Sequence, residues 1–360
     1  MALTVAFIGT GKKAEKASLS GYAMAYTHAQ SYEALDGVEM VAACDLVEEN
    51  VQAFAEKWGI DATFEDYNEM LKKIQPDIVS ICTWPHLHEQ MTVDCARAGV
   101  GLIYCEKPIA DTIGGARRMI EVCDEEGAML CFNHQRRYGA PFGIAKQMLD
   151  EGAIGELQRM EWGGANIYDY GSHNFDMAQF FNGETPAKSV IAQVDYHTES
   201  FWFGAHNENA CLALIEYENG VRGFVATGDV QGGVGCHNRL IGTEGMIEVG
   251  SAAEGAGVLR IRTFGGGEWE DVDTGGEGLH AQEYINRAVA DAVDAFRNDG
   301  ISMMDAHNAI HGTEAIFACW ESARRRARVD VPIEATDNPL NAMVESGDLN
   351  PQPSVDGETF

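Results

Sequence analysis

The segment Thr4-Val5-Ala6-Phe7-Ile8-Gly9-Thr10-Gly11 decides how the first third of the chain folds. Its four apolar residues run straight into two glycines, which is a buried strand entering a turn. Gly9 permits the tight turn, and Gly11 lets the backbone approach a pyrophosphate drawn to the following helix N-terminus. Read locally, the third small residue of a G-x-G-x-x-G/A pattern is Ala14. A second reading starts the helix near Gly21, runs it through Tyr22–Leu35, makes Ala25 the close-packing residue, and treats Lys12–Ser20 as an insertion. The acidic residue expected ~20 positions on, at the end of the next strand, favours the second. Asp45 follows Val38–Cys44 and lies 20 residues after Ala25, against 31 after Ala14. At that position a carboxylate accepts hydrogen bonds from both ribose hydroxyls and repels a 2′-phosphate, so NAD is expected over NADP. Leu46 and Val47 follow it, with no arginine; Lys12 and Lys13 are the nearby cations.

Outward from this segment, apolar strands at 5–8, 39–44, 78–82, 102–104 and 129–132 alternate with helical stretches near 47–58, 66–74, 87–98 and 112–126. Continuously apolar strands separated by helices predict a parallel sheet buried on both faces. A linking helix is expected over 139–151. After Gly155 the pattern becomes strand-rich, at 157–167, 188–196, 211–217, 221–230, 238–249 and 258–264, with Asn219-Gly220 as a hairpin turn. This predicts a second, α+β domain with an open-faced, mostly antiparallel sheet. Ile285, Ala288, Val289, Ala292, Val293 and Phe296 form one helical stripe, and another helix runs from about Met304 to Arg326. The expected division is 1–134, 135–333 and an acidic tail, 334–360, which has six acidic and no basic residues.

Of 360 residues, 56 are acidic and 25 are Lys or Arg, a net charge of −31, and only nine of the cations are lysine. Such a surface repels nucleic acid and anionic lipid. The 9% aromatic content argues for a packed core. A folded protein adapted to concentrated salt is the reading that remains. No apolar run reaches the ~18 residues of a membrane span, and no signal peptide is apparent at Met1. Nine cysteines without a C-x-x-C pair read as buried hydrophobes in a reducing cytoplasm.

Two clusters, Thr83-Trp84-Pro85-His86-Leu87-His88 and Cys105-Glu106-Lys107-Pro108, follow predicted strand ends, and a third, Asp169-Tyr170-Gly171-Ser172-His173-Asn174-Phe175-Asp176, opens the second domain. With the glycine loop, and with Asn133–Arg137, Gly152–Gly155 and Ile241–Gly245, they give the chain a resemblance to the glucose-fructose oxidoreductase/inositol dehydrogenase (Gfo/Idh/MocA) family over residues 4 to about 333. The resemblance implies a Rossmann domain, then an open-faced sheet through which subunits pair into a homodimer or homotetramer. It implies that Gly9, Thr10, Gly11, Asp45, Thr83, Trp84, His88, Glu106 and Lys107 serve the cofactor, and that Lys107, Asp169 and His173 are catalytic. The chemistry agrees. Oxidising a secondary alcohol of a sugar or polyol needs a base such as His173 for the hydroxyl proton. Lys107 can donate to the developing alkoxide, and Asp169 can bind a substrate hydroxyl or fix the imidazole. Two departures from the family pattern, the insertion after Gly11 and Trp84 before Pro85, both fall near the expected nicotinamide pocket.

Other readings are blander. Asp176 fits a helix-start carboxylate serving backbone amides. His86 and His88 lack a third ligand at metal spacing, so no metal is expected. Arg136 and Arg137 face either substrate or acidic surface, and Arg324, Arg325, Arg326 and Arg328 a helix C-terminus or acidic patch. Tyr168, Tyr170, Trp202 and Phe203 suit stacking on a sugar ring. The competing functions are an NAD-dependent glycosidase working by transient oxidation, and a non-catalytic NAD or sugar sensor.

Overall fold

A computed structural model describes residues 2–12 and 23–354. The chain divides into two compact units. The first holds 1–111, 115–138 and 280–307; the second holds 112–114, 139–279 and 308–360.

The first unit is built on six parallel strands: β1 (Leu3–Ile8), β2 (Val38–Cys44), β3 (Ala62–Phe64), β4 (Ile78–Ile81), β5 (Leu102–Cys105) and β6 (Met129–Phe132). Their order is β3-β2-β1-β4-β5-β6, the Rossmann arrangement. Chain direction reverses its progress across the sheet between β1 and β4, so the loops after these strands border the crevice where ligands bind in such sheets. The helices between are α1 (Met24–Glu33), α2 (Glu48–Trp58), α3 (Tyr67–Ile74), α4 (Pro85–Arg97) and α5 (Ile113–Glu126). Ala25 and Ala29 of α1 are fully buried, and Phe54 of α2 stacks edge-on against Phe7 at 5.1 Å and Tyr26 at 5.0 Å. Ala14 and Lys13 lie outside the described residues.

Helix α8 (Gln282–Arg297), which sequence grouping placed in the second domain, belongs to the first unit. Its stripe of Ile285, Ala288, Val289, Ala292 and Val293 joins the core formed by Ala25, Ala29 and Tyr32. Ser31 donates to the Asn286 side chain at 2.8 Å. An amphipathic stripe states that a face must be buried, and contains nothing about which sheet buries it.

The second unit carries a nine-stranded sheet. In chain order its strands are β7 (Leu157–Gly164), β8 (Ala187–Asp195), β11 (Ala210–Tyr217), β12 (Arg222–Gly228), β13 (Cys236–Gly242), β14 (Gly245–Ser251), β15 (Leu259–Thr263), β16 (Glu270–Asp271) and β17 (Val329–Asp330); a small hairpin, β9 (Phe201–Trp202) and β10 (Ala205–His206), stands apart. The order is β16-β15-β14-β13-β7-β12-β11-β8-β17, antiparallel except for the β7–β12 pair. The expected single strand at 238–249 is two, β13 and β14, because Gly242 and Gly245 bracket a turn. A Cβ on Gly242 would sit 2.1 Å from the Ile154 carbonyl oxygen. The remaining helices are α6 (Ala140–Asp150), α7 (Gly171–Phe181), α9 (Ala306–Arg325) and α10 (Pro339–Ser346). Inward-facing Ala213 and Ile215 are buried, whereas their neighbours Leu212 and Leu214 are exposed. That alternation marks a sheet with one apolar face open to solvent.

The segment read as an acidic tail forms a packed helix, α10, and beyond it the Gln352 N–H donates to the His197 carbonyl at 2.7 Å. Asn338 caps α10, accepting from the backbone N–H groups of Leu340 and Asn341 at 3.0 Å each, and Leu340 and Met343 are buried. The Asn338-Pro339 pair is an N-cap followed by proline at the first helical position. Asp337 pairs with Arg324, whose guanidinium also meets Glu321, so the arginine run neutralises acidic neighbours.

Replacing Phe54 by Ala removes the ring that joins α2 to β1 and α1. Unfolding in urea should show a loss of about 3–5 kcal/mol.

Candidate active site

Gly9 adopts φ +83°, a left-handed conformation that any other L-residue enters with strain, and a Cβ there would lie 2.6 Å from Thr83 Cγ2. Gly11, at φ +65°, lies against the Ala23 backbone. Asp45, at the end of β2, closes this turn. One carboxylate oxygen accepts from the Gly11 N–H at 2.9 Å and the Thr10 hydroxyl at 3.1 Å, and the other from the Val47 N–H at 2.9 Å. A bare glycine turn with a carboxylate beside it, at the carboxyl edge of a parallel sheet, fits a dinucleotide's pyrophosphate and ribose.

The loops after β4 and β5 are tied to each other. Trp84 precedes α4 and is 46% exposed. The Thr83 hydroxyl lies 3.3 Å from Met91 Sδ. His88 is fully buried; its Nε2 lies 3.1 Å from the Thr83 carbonyl, and its Nδ1 lies 3.0 and 3.2 Å from those of Pro108 and Ile109. Burial holds this ring below its ordinary pKa. Its side chain is therefore committed to the two loops.

Glu106 is committed in the same way, to a histidine that sequence reasoning passed over. His28 of α1 lies 2.8 Å from Glu106 Oε1 through Nε2, and its Nδ1 lies 2.7 Å from the Ser80 hydroxyl and 3.3 Å from Cys82 Sγ. The Asn133 amide donates to Glu106 at 2.7 Å, and the Tyr104 hydroxyl donates to Asn133 at 2.8 Å. Burial opposes the charge on His28, but Cys82 and Glu106 outweigh it and raise the pKa to about 10. Burial likewise opposes the Glu106 charge, and His28, Asn133 and Lys107 bring its pKa below the usual carboxylate value. The two shifts describe one buried ion pair.

Lys107 follows Glu106 at the end of β5. Its charge and that of buried Arg136 act, after burial, to hold His280 down at about pKa 4. Arg136 Nη2 lies 3.4 Å from His280 Nε2. Lys107, Arg136 and a neutral His280 thus form a cationic corner in a strongly acidic protein. No motif marks His280, which reaches this corner through the fold alone. Arg137 instead donates to the Met303 carbonyl at 3.1 Å.

Asp169 and His173 belong to the second unit. Gly171 opens α7, where a Cβ would approach the Asn166 carbonyl oxygen to 2.4 Å. His173 and Asp176 are buried on that helix, and the Asp169 N–H donates to Asn207 Oδ1 at 3.1 Å. Tyr168, expected as a ring-stacking wall, is core: it packs on Trp320 at 5.3 Å. Trp202 and Phe203 occupy the β9–β10 hairpin, where Trp202 is exposed.

Among the described residues, a metal-compatible group occurs at Asp195, His197 and Asp229, all exposed and apart from His86 and His88. The nine cysteines carry free thiols, eight of them buried. No described helix is long and apolar enough to cross a membrane.

Residues 3–134 match the model of an oxidoreductase family with an NAD-binding Rossmann fold, and residues 158–248 match the GFO/IDH/MocA C-terminal domain. The chain belongs to the Gfo/Idh/MocA family of NAD-binding oxidoreductases. It is 27% identical to D-glucoside 3-dehydrogenase of Escherichia coli (strain K12) over 248 residues, 61% of this chain and 68% of that enzyme. It is 23% identical to myo-inositol 2-dehydrogenase of Thermotoga maritima over 213 residues, 55% of this chain and 63% of that one. The matched stretches thus span about two thirds of these enzymes. The fold is shared with an oxidoreductase from Agrobacterium radiobacter solved with NAD+, L-tartaric acid and magnesium. The TM-score is 0.74 at 20% identity, covering 92% of this chain and 98% of that one.

The buried pair sets a pH dependence. The folded pKa of His28 lies above its ordinary 6.5, so its contribution to stability is complete below 6.5 and lost as pH rises toward about 10. Glu106, shifted down, loses its contribution only as pH falls below its ordinary 4.5. The melting-temperature gap between wild type and His28→Gln, followed by scanning fluorimetry, should therefore narrow steadily from pH 6.5 to 10.

Proposed function

We propose that this protein is an NAD-dependent dehydrogenase that oxidises a secondary alcohol of a sugar, inositol or related polyol. The observation that carries the reading is Lys107 at the carboxyl edge of the parallel sheet, in the same unit as the glycine turn and Asp45 that fit NAD. The relatives support it, since a D-glucoside 3-dehydrogenase and a myo-inositol 2-dehydrogenase match 61% and 55% of this chain.

When bound, NAD supplies the hydride acceptor. The rest is work for this chain's side chains. His173 takes the hydroxyl proton through its imidazole, Asp169 orients substrate or ring, and Lys107 donates a hydrogen bond to the oxygen as negative charge develops. Gly9, Thr10, Gly11 and Asp45 hold the cofactor, and Asp45 disfavours a 2′-phosphate. Thr83 and Trp84 border it, while His88 and Glu106 act one step removed, by fixing the loops that carry Thr83 and Lys107.

The deciding experiment is an NADH-formation screen of polyols, aldoses and glycosides with NAD and NADP. Lys107→Ala and His173→Ala should each lower turnover ~10²–10⁴-fold while NADH binding, read by fluorescence titration, stays intact. Near-wild-type turnover in either variant removes that residue from the mechanism. Release of monosaccharide from a fluorogenic glycoside without net NADH would favour the glycosidase reading.

The open face of the second unit's sheet is proposed as the subunit interface. It exposes Ile191, Leu212 and Leu214, the last at 56%, a large apolar area for a protein of charge −31. The same charge is read as adaptation to concentrated salt in the cytoplasm. Leu214→Asp should shift the protein from dimer or tetramer to monomer in light scattering coupled to size exclusion. Wild-type activity should fail in dilute buffer and return in molar KCl; full activity without salt would contradict the adaptation.

A further inference from the structure

The loop 166–170 leads into α7, the helix of His173, and it contains Asp169. The helix brings no side-chain cap of its own; its first flanking residue, Tyr170, makes no capping bond. The loop's backbone is held from elsewhere. The N–H groups of Tyr168 and Tyr170 donate to Asn166 Oδ1 at 3.1 and 3.0 Å, and that of Asp169 to Asn207 at 3.1 Å. The remaining N–H, that of Ile167, donates to Glu208 Oε1 at 2.6 Å. Four consecutive backbone donors thus find side-chain acceptors, and one of these acceptors is an acidic group.

Glu208 is 2% exposed, a place where a carboxyl group is costly without strong partners. Its second oxygen accepts from the indole N–H of Trp320 in α9 at 3.1 Å, and Trp320 packs on Tyr168 of the same loop. Glu208 therefore bonds the loop's backbone directly and, through Trp320, backs its central side chain. Asn207 beside it is anchored in turn: its N–H donates to the Ser200 carbonyl and its amide to that of Ala205. Burial pushes the Glu208 carboxyl up to about pKa 7, against the Ile167 N–H and the Trp320 indole, which favour its charged form.

We propose that Glu208 is a positioning residue for the dehydrogenase reaction, its carboxyl group setting the backbone of 166–170 and hence the aim of Asp169 and His173. A neutral core needs no carboxyl here. A loop whose geometry must hold to a fraction of an ångström benefits from a short acceptor fixed on two sides. The proposal rests on Asp169 and His173 being the catalytic pair.

Glu208→Gln keeps the shape and one acceptor oxygen, but turns an amide N–H toward either Ile167 N–H or the Trp320 indole. Two readouts are taken. Amide hydrogen exchange of the peptide spanning 166–173 should quicken at least tenfold. Turnover on myo-inositol or methyl β-D-glucopyranoside should fall about 10–100-fold in kcat, with NADH affinity unchanged within twofold. Should that variant fail to fold, Glu208→Asp, which keeps the charge and withdraws it by one methylene, is expected to behave the same way. Wild-type exchange over 166–173 together with wild-type kcat overturns the proposal, as does a lowered melting temperature with both readouts unmoved. His173→Ala separates the two readings. If it keeps turnover, the catalytic assignment fails, while the exchange measurement still decides whether Glu208 holds the loop.

Discussion

The cofactor side of this protein depends on one buried ion pair, His28 with Glu106. Two charges withdrawn from water are costly unless every remaining polar atom around them is satisfied. Here Ser80 and Cys82 of the β4 edge, Glu106 after β5, and Asn133 after β6 all converge on the imidazole of α1. The pair ties the first helix to the carboxyl ends of three neighbouring strands. Those are the ends from which the loops of Thr83 and Lys107 depart. His88 repeats the device one layer on, joining the loop after β4 to the loop after β5 through backbone carbonyls. Lys107 thus stands on a backbone fixed from two sides, which suits the role proposed for it.

The second unit reaches a similar end by other means. Its catalytic candidates sit on a loop and the first turn of a buried helix, and the loop's backbone donors are consumed by side chains of Asn166, Asn207 and Glu208. Both units spend buried polar groups on the backbone that carries the chemistry, and fill the space elsewhere with apolar packing. Arg136 and Lys107 both act on His280 and help hold it neutral, so positive charge gathers at this end of the parallel sheet on a protein that is otherwise strongly negative.

Much of the fold was legible because it depends on local periodicity. The five long parallel strands, the helices between them and most strands of the second sheet follow from apolar runs bounded by Gly, Asn and Pro. The errors have physical reasons. Strand β3 is three residues long, too short to show a pattern. The turn Gly242-Thr243-Glu244-Gly245 has a glycine at each end, but the strand signal on both sides let one strand be read through it. The tail's acidity masked Leu340 and Met343, whose spacing buries one side of α10. The glycine turn of Gly9 and Gly11 and its partner Asp45 were readable, since turn geometry restricts which residues can serve there, while Lys107 and His173 were named through the family resemblance. His28, His280 and Glu208 were not readable. Each is a single polar residue in an unremarkable stretch, and its partner is up to 144 positions away.

The sequence by itself determined a strand running into a glycine turn, a carboxylate at the right distance to meet it, and the residue types that alcohol oxidation requires. Those features are local, or follow from a spacing set by the length of one strand–helix–strand unit. Only the tertiary structure decided which unit claims α8, that Tyr168 is core, and that Glu106 and His88 brace the site's loops. These outcomes depend on which buried polar groups satisfy one another. That matching is made across strands and helices far apart in the chain, where no periodicity records it.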